Sequence, residues 1–176
     1  HVLSVALQDL VDAEAMMDTE FFASHDLSCI PDHLISKIGM LKSGSISCPN
    51  GDQMRAQRDY IRAVAAAKEV YGVSSVNMIG YPEMITAALD GGATVALVLS
   101  QAVIETLSPG QIDKWSSYEN FRLKIADNRA AFTVADDMLM LALYLPNGKI
   151  DLLQEWAASG DPARRWGRDL FSYYSF

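Results

Sequence analysis

The chain has 176 residues, half of them hydrophobic and a fifth charged, with a formal net charge of −8. That length suits a single domain with its own core, and the longest apolar run, Met138 to Leu145, falls well short of the roughly 20 residues a membrane-spanning helix needs. Two cysteines, Cys29 and Cys48, are too few for a disulfide framework and are expected as reduced thiols. The expectation is a soluble, intracellular protein, and a first residue of His1 instead of Met predicts that any targeting segment has already been removed.

The N-terminal segment carries the clearest period. Leu3, Leu7, Leu10, Met17 and Phe21 recur in steps of three and four, with Glu14 as the one acidic interruption, which predicts an amphipathic helix over about 4–23. Residues 1–36 hold seven acids (Asp9, Asp12, Glu14, Asp18, Glu20, Asp26 and Asp32) and no Lys or Arg, while the remainder is nearly balanced. The net charge therefore belongs to this acidic arm, and its apolar seam is read as an assembly element. A second helix is expected near 31–41. The stretch "KSGSISCPNGD", residues 42–52, reads as a flexible connection.

Beyond it, "NGD" at Asn50 opens a helix over about 52–71 in which Arg55, Arg58 and Arg62 share one face. Tyr81-Pro82 starts a shorter helix, 82–89. "TVALVLSQAVIETL" is apolar nearly all round and too long for an ordinary strand, so a buried central helix is expected over about 94–107. "SPGQ" from Ser108 combines a capping serine, proline and glutamine and predicts a helix over 109–125. In "TVADDMLMLALYLPNGK", Thr133 reads as an N-cap and Asp136 as its partner at the start of a helix over 134–145, ended by Pro146. On that reading Asp136 and Asp137 are structural, not catalytic or metal-binding. Helices at 150–158 and 162–174 complete the series, the last opened by Asp161-Pro162.

The resulting expectation is an all-α single domain, 1–176: an irregular globular bundle of about eight or nine helices around the 94–107 helix. His25, Cys29, His33 and Cys48 match no zinc spacing, so no metal and no cofactor is expected. Glycine-loop, nucleophile-elbow and H-E-x-x-H motifs are absent, which leaves no catalytic residue to assign and enzymatic activity undecided. A second basic cluster, Arg164, Arg165 and Arg168 around Trp166, joins Arg55, Arg58 and Arg62 as an expected partner-binding surface. The leading functional expectation is a non-catalytic helical interaction or assembly subunit of a larger complex, with a protein partner or self-association and no membrane insertion. The alternatives are a self-assembling capsid or nucleocapsid protein touching nucleic acid through its arginine faces, and a sensor or enzyme with an apolar pocket near Met138, Met140 and Tyr144.

Overall fold

The computed structural model describes residues 2–48 and 51–176; His1, and Pro49 and Asn50 within the expected flexible connection, lie outside the described residues. In chain order the elements are α1 (Val2–Met17), α2 (Glu20–Ser24), α3 (Asp32–Ile35), a 3-10 turn (Ile38–Leu41), β1 (Ser45–Ile46), α4 (Gln53–Ala65), β2 (Glu69–Ser74), α5 (Tyr81–Asp90), β3 (Thr94–Leu99), α6 (Gln101–Thr106), α7 (Gln111–Ser116), β4 (Phe121–Ile125), β5 (Ala131–Ala135), β6 (Met138–Ala142), β7 (Trp156–Ser159) and α8 (Asp161–Ser175). The fold is α/β, and the all-α bundle is incorrect. A seven-stranded mixed sheet, ordered β1-β7-β6-β5-β2-β3-β4, divides the molecule. β2, β3 and β4 are parallel, and β5 joins them antiparallel through β2, with β6, β7 and β1 continuing antiparallel.

The expected central helix is in fact β3 followed by the short α6. The helix expected over 134–145 is the β5–β6 hairpin, and those over 109–125 and 150–158 take in β4 and most of β7. The cause is burial: all five residues of β5 are buried, as are four of six in β3. A strand covered on both faces shows no alternation of polar and apolar residues, and its sequence then resembles a buried helix. Thr133 is no helix cap. It lies in β5, opposite Gly72 on one side and Met140 on the other.

Asp136 and Asp137 form the two-residue turn of the hairpin. Asp136 sits at φ 51°, the left-handed region that aspartate tolerates better than most residues. Its Oδ1 accepts from the amides of Lys68 (2.9 Å) and Glu69 (3.1 Å), and its own amide donates to the Glu69 carbonyl at 3.1 Å. The turn thus fastens the first residues of β2 to the end of β5.

Each sheet face carries its own layer. On one side α1, α2, α3, the 3-10 turn and α8 pack against Val73, Val98, Phe132, Val134, Leu139 and Leu141. On the other, α4, α5 and α7 pack against Val70, Val95, Leu97 and Leu99. α8 lies directly on the sheet at Gly167, where a Cβ would meet Val134 Cγ2 at 2.5 Å. Next to it Trp166 is fully buried and donates its indole N–H to the Leu34 carbonyl at 3.0 Å.

Several helix starts sit close to their sequence signals. Asp52 caps α4 by accepting from the Arg55 amide at 3.0 Å, and Tyr81-Pro82 and Asp161-Pro162 open α5 and α8. The expected arm divides in two. Leu3, Leu7 and Leu10 are exposed on α1, whereas Ala13, Met16, Phe21 and Phe22 are buried in this chain's own core, with Met17 half-buried.

Asp136→Ala is expected to cost about 1–2 kcal/mol, from two lost hydrogen bonds and a poorer fit to positive φ, while exposed Asp137→Asn stays within about 0.5 kcal/mol in chemical denaturation. Deleting residues 1–11 should leave the melting temperature nearly unchanged. Extending the deletion through residue 24 removes buried side chains and should unfold the chain, as circular dichroism would show.

Candidate functional site

A cleft opens beneath α4, on the sheet face opposite α1 and α8. Its outer chamber holds about 190 Å³, between Gln53, Ala56 and Gln57 of α4, Ser47 and Cys48 beyond β1, and Leu153. An inner chamber of about 40 Å³ continues toward the sheet at Ser74, Thr133 and Met140. Tyr60, Met78, Leu152 and Glu155 border both chambers, which are therefore two compartments of one cleft.

The sheet and α4 set the polar groups at its floor. Thr133 points from β5 toward α4, where its Oγ1 meets the Tyr60 hydroxyl at 2.9 Å. Burial pushes Tyr60 up to about 12, against the opposing effect of the Thr133 bond, and also raises Tyr81 above the usual phenol range. Both phenols hold their protons throughout the physiological range.

Among the described residues Glu155 is the one charged side chain on the cleft wall, with no Lys, Arg or His beside it. Its backbone is pinned where its carbonyl accepts from the Ser47 amide at 2.8 Å. The turn before it is shaped by Asp151, whose Oδ1 accepts from the amides of Leu153 (2.9 Å) and Gln154 (3.1 Å). Asp151 Oδ2 in turn lies 3.3 Å from His25 Nε2, and the other ring nitrogen of this buried histidine donates to the Phe21 carbonyl at 2.6 Å. Burial, reinforced by the negative charge of Asp151, pushes Glu155 up to about 7.

The residues expected to meet a partner occupy different places. Arg55, Arg58 and Arg62 are exposed on α4, and their spacing puts them on the helix face away from the cleft-lining Ala56, Gln57 and Tyr60. Arg55 lies 3.8 Å from Asp59, whereas Arg58 and Arg62 form no ion pair among the described residues. The C-terminal cluster is dispersed. Arg164 and Arg165 both pair with Asp161, at 2.7 and 2.8 Å, Arg168 lies 3.5 Å above the Tyr71 ring and 3.6 Å from Glu69, and Trp166 belongs to the core.

His25, Cys29, His33 and Cys48 do not converge. Cys29 is buried, with its thiol pushed up to about 11 by that burial, His33 is exposed on α3, and Cys48 borders the cleft. Among the described residues no group of three potential metal ligands occurs. The expected apolar pocket does not form: Met138 packs into the core under α4 and α5, Met140 lines the cleft, and the Tyr144 hydroxyl bonds Ser75 at 2.7 Å. Sequence reasoning missed Glu155, Tyr60 and Thr133 as a group, because only the folded sheet brings them together.

A family model described as the methanogenesis regulatory protein FilR1, middle domain, matches residues 54–175. A curated relative, the methanogenesis regulatory protein FilR1 of Methanothrix harundinacea (strain 6Ac), is 26% identical over 186 residues, covering 99% of this chain and 41% of the relative. The chain thus spans less than half the length of that relative. TrmBL2, described as an archaeal chromatin protein with a novel mode of DNA binding, superposes with a TM-score of 0.58 at 12% identity, over 75% of this chain and 50% of that one. NucT from Helicobacter pylori superposes with a TM-score of 0.52 at 15% identity, over 75% of this chain and 92% of that one. At such identities the two structures show a shared fold alone.

The family match covers more than half of the sequence, and the chain belongs to the FilR1 middle-domain family. Membership in a family of regulatory proteins overturns the expectation of a helical assembly subunit and, with it, the capsid-type alternative. Among the described residues no helix is long and apolar enough to cross a membrane.

The raised Glu155 carboxyl has a consequence for stability. The folded chain holds this proton more tightly than the unfolded one, so the penalty for ionisation is absent below about pH 4.5 and develops as the pH climbs to about 7. Glu155→Gln should therefore stabilise the chain at pH 8 by up to roughly 3 kcal/mol and change little at pH 4, as urea denaturation at the two pH values would measure.

Proposed function

From membership of the FilR1 middle-domain family, we propose that the chain is a regulatory domain of a transcription regulator, contributing phosphate contacts to nucleic acid through Arg55, Arg58 and Arg62. The family match over residues 54–175 carries this reading. The relative's name, a methanogenesis regulatory protein, supports the regulatory part, and the DNA binding named for TrmBL2 supports the nucleic-acid part.

The chemistry of the α4 stripe agrees with it. Three guanidinium groups on one exposed helix face present delocalised charge and multiple donors, which suits phosphate oxygens. The net charge of −8 argues against general affinity for nucleic acid. Its main source, however, is the segment 1–36, whose helices pack on the opposite face of the sheet from α4. The intervening protein separates the acidic arm from the stripe.

Fluorescence anisotropy with a labelled duplex, read across a salt series, tests the contact. Replacing Arg55, Arg58 and Arg62 together by Ala should weaken binding and reduce the slope of log affinity against log salt by about 2 to 3, at roughly 0.9 per phosphate contact. The melting temperature should hold, since exposed arginines contribute little to folding. Equal affinity and slope in the variant would remove the stripe from the reading.

A further inference from the structure

The cleft beneath α4 sits on the opposite face of that helix from the arginine stripe, so its chemistry can be judged without reference to DNA. Its wall combines one carboxylate, two hydroxyl-bearing side chains in contact and several flexible apolar groups. We propose that this cleft binds a small organic ammonium ion, with the cationic head on the Glu155 carboxylate and the apolar body against Met78, Met140 and Leu152.

Charge selects the ligand class. A bound anion would lie beside Glu155 with no Lys, Arg or His among the described residues of the wall to offset the repulsion. A neutral apolar ligand would strip water from Glu155 and leave its carboxyl group, in either protonation state, without a hydrogen-bond partner, which is costly for a polar group. An ammonium ion instead supplies both the opposite charge and the hydrogen-bond donors that a carboxylate accepts. Asp151 adds to the negative field, although its own oxygens are engaged by two backbone amides and by His25.

Size and shape agree. The outer chamber has the volume of about six waters, room for a ligand of a few heavy atoms. The methionines and Leu152 follow the shape of an alkyl chain, methionine through its unbranched and adaptable side chain. Toward the sheet, the Tyr60–Thr133 hydroxyl pair retains free lone pairs for a further donor on the ligand.

Binding should also displace a proton. Among the described residues, the titratable groups around Glu155 are Asp151 from its own loop, with His25 against the far side of that carboxylate, and Tyr60 from α4, Tyr81 from the start of α5 and Cys48 beyond β1, which border the same cleft. Of these, both tyrosines keep their protons at neutral pH. The ammonium head requires ionised Glu155, so the carboxyl proton leaves to solvent as the ion enters. With Glu155 half-ionised near pH 7, affinity should rise about tenfold from pH 6 to pH 8.

NMR titration of the 15N-labelled chain with n-butylamine hydrochloride, n-butanol and sodium butyrate separates the possibilities, because the three probes match in length and differ in charge. The expected result is that n-butylammonium shifts the amides of Tyr60, Thr133 and Glu155, binds at least tenfold more tightly than either other probe at pH 8, and weakens about tenfold at pH 6. Glu155→Gln, whose fold is checked by its melting curve, should abolish that preference. Butyrate or butanol binding as tightly as n-butylammonium, cleft amides that do not move, or a preference that survives Glu155→Gln would each overturn the proposal. Because the readout is binding alone, its failure would leave the regulatory reading standing, and loss of the DNA contact would leave this site standing.

Discussion

The antiparallel pairing of β2 with β5 is the joint on which the rest of the molecule depends. It connects a parallel half, β2 to β4, with an antiparallel half, β5 to β1. Asp136 holds one end of this joint by accepting from the first two amides around β2 while its own amide returns a bond to the same strand. Short polar side chains in turns often bond nearby backbone in this way, but here the backbone captured lies more than sixty residues away. The register that results places Thr133 opposite Gly72, where a Cβ would press on Leu97 Cδ2 at 3.1 Å while meeting the Thr133 oxygen and the Tyr81 hydroxyl at an ordinary 3.7 Å.

Helix α4 takes its two roles from that joint. Its inner side reaches the sheet through Tyr60, which bonds Thr133, and through Val64, which is wholly buried. The sheet thereby fixes the rotation of the helix about its axis and directs Arg55, Arg58 and Arg62 outward. The cleft occupies the space between the start of α4 and the turn carrying Glu155, a turn shaped by Asp151 and braced by His25 from the opposite layer. The half-buried Glu155 carboxyl thus lies off one side of α4 and the exposed basic stripe on the other.

Charge follows the layers as well. The acidic N-terminal helices cover one face of the sheet and the arginine stripe projects from the other. The C-terminal arginines, which look equivalent in composition, are neutralised within the chain by Asp161 or placed over Tyr71. α1 itself is anchored only in its second half, through Ala13 and Met16, so that Val2, Leu3, Leu7 and Leu10 remain exposed.

Local chemistry determined what could be read directly from the sequence. The starts of α4, α5 and α8 are marked by Asp52, Tyr81-Pro82 and Asp161-Pro162, because capping and the fixed φ of proline act within a single turn. A helix near the N-terminus and the concentration of acid in residues 1–36 were equally legible, whereas the face α1 buries, Ala13 and Met16, is not the Leu3, Leu7 and Leu10 seam. Tertiary structure decided the fold class: Thr94–Leu99 and Ala131–Ala135 are strands because partners from distant parts of the chain satisfy their backbone hydrogen bonds while both faces are covered. Such strands lose the alternation that would reveal them, and an apolar run buried all round fits a helix as readily. The cleft was hidden for the same reason, since Tyr60 and Thr133 are 73 residues apart and Glu155 joins them only through the packing of β6 and β7 beside β5.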